Sequence, residues 1–211
     1  MITIYHLGVS QSDRIVWLME ELALPYQLEW YDRGENGLAP AEYLALHPAA
    51  TAPVIRDGDL VLCESAAIVE YISQRYGEGK LSVASDQPNF PDYLYWMQFN
   101  NNALSSFFVK LAVEQSAGNQ GGQIQTAISR RENSYYTYLN DHLATSKYLA
   151  GDEFSCADIM ALFNLTTLPM FGGRSLDGLP NVQAYVERIT QRPAYIRAMA
   201  IAGPQASKPS A

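Results

Sequence analysis

Near residue 77 the chain changes texture, and the change implies two architectures in one polypeptide. Before it, short strand-like and helix-like pieces alternate. Ile2–Tyr5 is a run of β-branched and aromatic residues, which reads as a strand. Between Ser12 and Ala23, the residues Ile15, Leu18, Met19 and Leu22 recur at the spacing of a helix with one buried face, and Leu24-Pro25 stops it. In Gln27–Tyr31, Leu28 and Trp30 alternate with polar neighbours, the pattern of a half-buried strand. Pro40–Leu46 reads as a short helix opened by proline. Asp57-Gly58 joins Pro53–Arg56 to Leu60–Cys63 with strong hairpin chemistry, and Ser65–Tyr76 follows as a helix. The order β-α-β-α-β-β-α, with two parallel crossovers and a terminal hairpin, predicts one mixed four-stranded sheet covered by helices.

Gly77–Asp92, with its glycines, Pro88 and Pro91, has the composition of a linker. Beyond it every pattern is helical: Tyr93 to about Ala117, Gln123 to His142, Ser155 to about Pro169, Asn181–Gln191 and Ala194–Ile201. Gly118 and Gly121-Gly122 end the first of these. The sharpest local signal is Phe154-Ser155-Cys156-Ala157-Asp158-Ile159. There Ser155 and Asp158 are spaced for a capping box, and Phe154 and Ile159 for the hydrophobic staple beside it. Residues 1–78 are therefore expected to form an α/β domain and 90–202 an all-helical one, with 79–89 as linker and 203–211 as a flexible tail.

Charge narrows the function. Residues 1–80 carry 5 basic and 12 acidic side chains, and the rest of the chain 9 and 10, so no basic stripe exists to meet a nucleic acid backbone. No apolar run approaches the roughly 20 residues that span a bilayer. The start MITIYHLGVS has no signal-peptide pattern, and two cysteines make no disulfide framework, so a cytoplasmic location is expected. Three histidines without a cysteine cluster give no reason to expect a metal.

Three positions carry candidate chemistry. Ser10 follows the first strand where the first helix opens. It either caps that helix, with Asp13 completing a Ser-x-x-Asp box, or donates its hydroxyl to an anion at the helix N-terminus. Ser12 competes for either role. Pro53 stands directly before a strand, as an edge-strand starter or a cis-proline. Glu64-Ser65 opens a helix, as capping chemistry or as a ligand-binding pair.

Taken together and in this order, these positions and the Phe-Ser-x-Ala-Asp box resemble the glutathione S-transferase family over about residues 1–200. Glu64–Ile68 and the box are the most specific parts. The resemblance implies a thioredoxin-like N-terminal domain, a helical-bundle C-terminal domain, a homodimer, and glutathione as co-substrate. It implies that Ser10 hydrogen-bonds the glutathione sulfur, that Pro53 is a cis-proline, and that the Val54 backbone pairs with the cysteinyl part of the tripeptide. Glu64 and Ser65 match the pair that holds the γ-glutamyl end. Thr51 stands where a common family pattern has lysine, so a cationic partner for a glutathione carboxylate is missing there.

With no cysteine at position 10 or 13, conjugation to a small-molecule electrophile or peroxide reduction is favoured over disulfide exchange. Cys63 and Cys156 read as buried small hydrophobes. The second substrate is expected between the domains, against the long helix, where Tyr95, Phe99, Phe107 and Phe108 either line a pocket or pack the bundle. The alternative to an enzyme is a non-catalytic binding or interaction module on the same fold.

Overall fold

The computed structural model describes residues 1–116, 122–171 and 174–209, and the chain divides into two compact units. The first comprises Met1–Ala84 together with Ile189–Ala211. Its strands are β1 (Ile2–Leu7), β2 (Tyr26–Tyr31), β3 (Val54–Asp57) and β4 (Leu60–Cys63), in the sheet order β2-β1-β3-β4. Helices α1 (Asp13–Glu21), α2 (Ala41–Leu44) and α3 (Ser65–Arg75) connect and cover them.

β1 and β2 are parallel, as a crossover through α1 requires. The second connection is not a parallel crossover. β3 enters beside β1 antiparallel to it, with Tyr5 opposite Val54, and β4 returns antiparallel to β3 through the Asp57-Gly58 turn. The Gly58 φ of 59° is the left-handed conformation that glycine supplies without steric cost. Alternation along β1 sorts side chains onto two faces. Tyr5 and Leu7 join Tyr43, Val54 and Cys63 in one cluster. His6, on the opposite face, meets Ser12 at the start of α1. Ile15, Val16, Leu18 and Met19 bury the inner side of α1, and Ile68, Val69 and Ile72 that of α3.

The second unit, Ser85–Arg188, contains α4 (Phe90–Ser116), α5 (Gln123–His142), α6 (Cys156–Thr166), a 3₁₀ turn at Leu168–Phe171 and most of α7 (Pro180–Thr190). Gly118 and Gly121, expected to end the long helix, lie outside the described residues, and Gly122 caps α5. The Ser155–Asp158 capping box is formed at α6. The Asp158 carboxylate accepts from the Ser155 amide at 2.8 Å, the Leu149 amide at 2.9 Å and the Tyr185 hydroxyl at 2.8 Å.

The last helix, α8 (Pro193–Ala202), belongs to the first unit, where it packs on α1. Trp17 meets Tyr195 edge to face, and Arg192 makes a two-pronged ion pair with Glu21 at 2.6 and 2.7 Å. The periodicity of residues 194–201 reveals a helix but not which surface it covers. No helix among the described residues is long and apolar enough to cross a membrane.

Candidate active site

The loop between β1 and α1 is held from outside. Val9, a β-branched residue, sits at φ 51°, a conformation costing about 1–3 kcal/mol that surrounding contacts must offset. Arg33 supplies such contacts, donating from Nε to the Gly8 carbonyl (2.8 Å), from Nη2 to the Val9 carbonyl (2.9 Å) and from Nη1 to the Gly37 carbonyl (3.0 Å). Ser10 follows, only 6% exposed. Its hydroxyl donates to the Leu7 carbonyl at 2.7 Å, lies 2.7 Å from the Ser12 hydroxyl, and accepts from the Ser12 amide at 3.3 Å. Behind Ser12, at 2.8 Å, stands Nδ1 of His6, whose ring is tilted against Trp30.

The capping box from Ser10 to Asp13 does not form. α1 begins at Asp13 with Ser12 as its cap residue and without a side-chain capping bond, because the Ser10 oxygen is engaged with Leu7 and Ser12. The Asp13 carboxyl is buried instead. Burial pushes its pKa up to about 7 against the pull of neighbouring Arg14, and its Oδ1 has no hydrogen-bond partner among the described residues.

A second cluster joins this loop to the start of α3. Buried Arg14 donates to Gln11 Oε1 at 2.6 Å and to the Ser65 hydroxyl at 3.4 Å, and Ser65 donates to the same Gln11 oxygen at 3.2 Å. Glu64, immediately before Ser65, is exposed and has φ 74° with ψ 111°, another backbone strain of the kind that concentrates at ligand sites. The amides of the first turn of α3 thus open beside an exposed carboxylate and a buried guanidinium. That set suits a zwitterion, with Glu64 accepting from an ammonium while Ser65 and the helix end receive a carboxylate.

The Ala52–Pro53 peptide is cis, Pro53 is buried and Thr51 is exposed on the loop before it. Val54 is the first residue of the ladder and has Tyr5 on one side and Cys63 on the other. The ladder therefore reaches Val54 but leaves Ala52 outside it.

The sequence offers Ser10, Glu64 and Ser65 as candidates but does not mark His6, Gln11, Arg14 and Arg33, which the structure places around the β1–α1 loop and the start of α3. One signal was available for Arg14, which lies one turn before Leu18 on the apolar stripe of α1, where a charge must have partners. Arg33, distant in sequence and on an exposed loop, gave none.

The helical unit holds a mostly apolar cavity lined by Phe99, Ala103, Phe107, Tyr135, Tyr136 and Leu168, with Asn164 among its polar lining residues. Two of the expected pocket aromatics, Phe99 and Phe107, are thus at this cavity. Tyr95 stacks on Phe99 and is partly exposed, and the side chain of Phe108 lies outside the described residues.

The chain matches family models of the glutathione S-transferase N-terminal domain over residues 10–75 and of the C-terminal domain over residues 101–193. It belongs to the glutathione S-transferase family. It is 31% identical to glutathione S-transferase 3 of Schizosaccharomyces pombe, across 92% of this chain and 85% of that one. A crystal structure of a glutathione S-transferase from Actinobacillus pleuropneumoniae, also 31% identical, superposes with a TM-score of 0.89 over 97% of this chain and 95% of that one. A theta class glutathione S-transferase from Xanthomonas axonopodis pv. citri, solved with glutathione bound, is 25% identical, with a TM-score of 0.72 over 96% and 98% of the two chains. The glutathione S-transferase fold is therefore a thioredoxin-like sheet unit and a helical unit, here with α8 returning to the first.

Proposed function

We propose that the chain is a glutathione transferase that ionises the glutathione thiol with the Ser10 hydroxyl at the mouth of α1. The supporting observation is the location of that hydroxyl: it is almost buried, and it shares a loop with Gln11, which is hydrogen-bonded to Ser65. Glu64 takes the ammonium of the γ-glutamyl end and Ser65 its carboxylate. Ala52, outside the sheet ladder, is better placed than Val54 to pair its backbone with the cysteinyl residue, because the Val54 backbone lies between two strands. Thr51 offers a hydroxyl to the glycine carboxylate in place of a cation.

Magnitudes limit what Ser10 can do alone. A free thiol has a pKa near 8.5, and ionising it mostly at neutral pH requires about 2.7 kcal/mol. A hydrogen bond to a charged acceptor contributes about 1.5–3 kcal/mol, but Ser10 must first release the Leu7 carbonyl, a neutral bond worth about 0.5–1.5 kcal/mol. The helix end adds about 0.3–1 kcal/mol. The net lowers the thiol pKa to about 7, enough for a substantial thiolate fraction without a general base. The thiol proton passes to solvent, and the thiolate attacks an electrophilic carbon, expelling its leaving group, or an oxygen of an organic hydroperoxide, breaking the O–O bond to give a sulfenic acid and, with a proton from solvent, an alcohol.

Replacing Ser10 with alanine should lower kcat/KM toward an aromatic halide by about 10- to 100-fold, while the protein is still retained on immobilised glutathione. An unchanged rate would refute the role of Ser10, and a loss confined to Ser12→Ala would transfer the role to Ser12. Retention of the wild-type chain on glutathione with no turnover of halide or hydroperoxide would favour a binding module. We further propose a cytoplasmic location, which two buried cysteines without a disulfide framework suit, and a homodimer, supported by the exposed apolar side chains Leu94, Tyr95 and Tyr138 on the helical unit.

A further inference from the structure

The Ser10 oxygen has one proton to give and two lone pairs to fill. The Ser12 amide already approaches it as a donor, at 3.3 Å. What Ser10 can offer a sulfur therefore depends on the Ser12 hydroxyl, 2.7 Å away, which either donates to Ser10 or accepts from it. Ser12 in turn faces Nδ1 of His6 at 2.8 Å and, more distantly, the Leu7 carbonyl at 3.4 Å. The tautomer of one buried imidazole thus decides the direction of the whole row.

His6 is fully buried, and burial holds it neutral by lowering its pKa to about 4, so one ring nitrogen carries a proton and the other is bare. Its Nε2 has no hydrogen-bond partner among the described residues. A proton on Nε2 would leave a buried N–H without an acceptor, which native structures avoid more strictly than an unfilled lone pair. The proton therefore belongs on Nδ1.

We propose that His6, acting through Ser12, is a positioning residue for thiol activation: Nδ1–H donates to Ser12 Oγ, and Ser12 donates to Ser10 Oγ, leaving Ser10 only its own proton to offer the sulfur. The proposal rests on the assignment of Ser10 as the thiol-contacting hydroxyl. With both lone pairs filled, the Ser10 hydroxyl donates and does not accept. Donors in series also polarise one another, so the bond to a thiolate is stronger than a lone serine provides. The opposite tautomer would draw the Ser12 proton to His6 and let Ser10 turn its hydrogen to Ser12.

The test is the pKa of the bound thiol, read from the ultraviolet absorbance of the thiolate during pH titration of the glutathione complex, with affinity measured in parallel. Ser12→Ala and His6→Leu should each raise that pKa by about one unit, a roughly tenfold smaller thiolate fraction below the pKa, with glutathione affinity changed by less than threefold. His6→Asn, whose amide can donate as Nδ1 does, should restore the wild-type value. A merely structural role for His6 would lower affinity or folded yield and leave the thiol pKa of the surviving complex unmoved. Should His6→Leu fail to fold, Ser12→Ala and His6→Asn carry the test. Ser12→Ala and His6→Leu complexes with wild-type thiol pKa, beside a raised value in Ser10→Ala, would overturn the relay and spare the Ser10 assignment. An unmoved value in Ser10→Ala would overturn both.

Discussion

Glu64, proposed to hold the γ-glutamyl ammonium, has an unusual backbone conformation. At φ 74° it occupies a region that costs a side chain-bearing residue about 1–3 kcal/mol, and its side chain is exposed. If it accepts from the ligand ammonium, Glu64→Gln should weaken glutathione binding by about 10- to 100-fold in calorimetry, with the fold intact. The sequence marked Glu64 by its place before a helix and Ser10 by its place after a strand. It could not show that Ser10 is hydrogen-bonded back to Leu7, because that bond depends on the path of a loop and not on any periodicity. His6 was illegible because on β1 an apolar residue would satisfy the pattern equally well, and Asp13 reads as the far end of a capping box, so only packing reveals their unpartnered buried atoms.

Those two residues also shift the pH dependence of stability in opposite directions. Burial lowers the folded-state pKa of His6 from 6.5 to about 4, so below pH 6.5 the unfolded chain takes up a proton that the folded chain refuses. Stability from this source falls as the pH drops from 6.5 toward 4, by about 3 kcal/mol in all. Asp13 works in the other direction. Its folded pKa is raised from 3.8 to about 7, so the stability it contributes is present below pH 3.8 and is lost as the pH rises toward 7. Urea denaturation from pH 4 to 6.5 should therefore show Asp13→Asn losing stability relative to wild type as the pH falls, and His6→Leu losing it as the pH rises. Parallel curves for all three proteins would contradict both assignments.

At the scale of elements, the capping box was readable in full because its information is local: Ser155, Asp158 and the flanking apolar pair lie within six residues. Its reach was not readable. Asp158 also receives the Leu149 amide and the Tyr185 hydroxyl, from segments before and after α6. Asp158→Ala should cost about 3–5 kcal/mol in urea unfolding, since it strands several buried donors, against about 1 kcal/mol for Ser155→Ala. The placement of α8 on α1 was similarly hidden, because it rests on Glu21–Arg192 and Trp17–Tyr195, pairs separated by more than 170 positions. Arg192→Ala should destabilise by about 1–2 kcal/mol, between the values for exposed and buried ion pairs, since Glu21 is largely covered. The antiparallel entry of β3 was missed because the residues between β2 and β3 carry no periodic pattern that fixes a direction.

For the whole molecule, the change of texture near residue 77 pointed to a sheet part followed by a helical part, but not to α8, which joins the first unit, Met1–Ala84 with Ile189–Ala211. The proposed dimer rests on surface chemistry: Leu94, Tyr95 and Tyr138 are exposed apolar side chains on the helical unit. Sedimentation equilibrium should find a dimer, and Leu94→Glu with Tyr138→Glu should shift it toward monomer without unfolding.

The central claim concerns one oxygen, and a crystal structure of the glutathione complex tests it most directly. The Ser10 hydroxyl should have left the Leu7 carbonyl and lie within hydrogen-bonding reach of the sulfur, with Glu64 at the ammonium. A complex in which Ser10 still donates to Leu7, while the sulfur rests on Ser12 or on no hydroxyl at all, would contradict it.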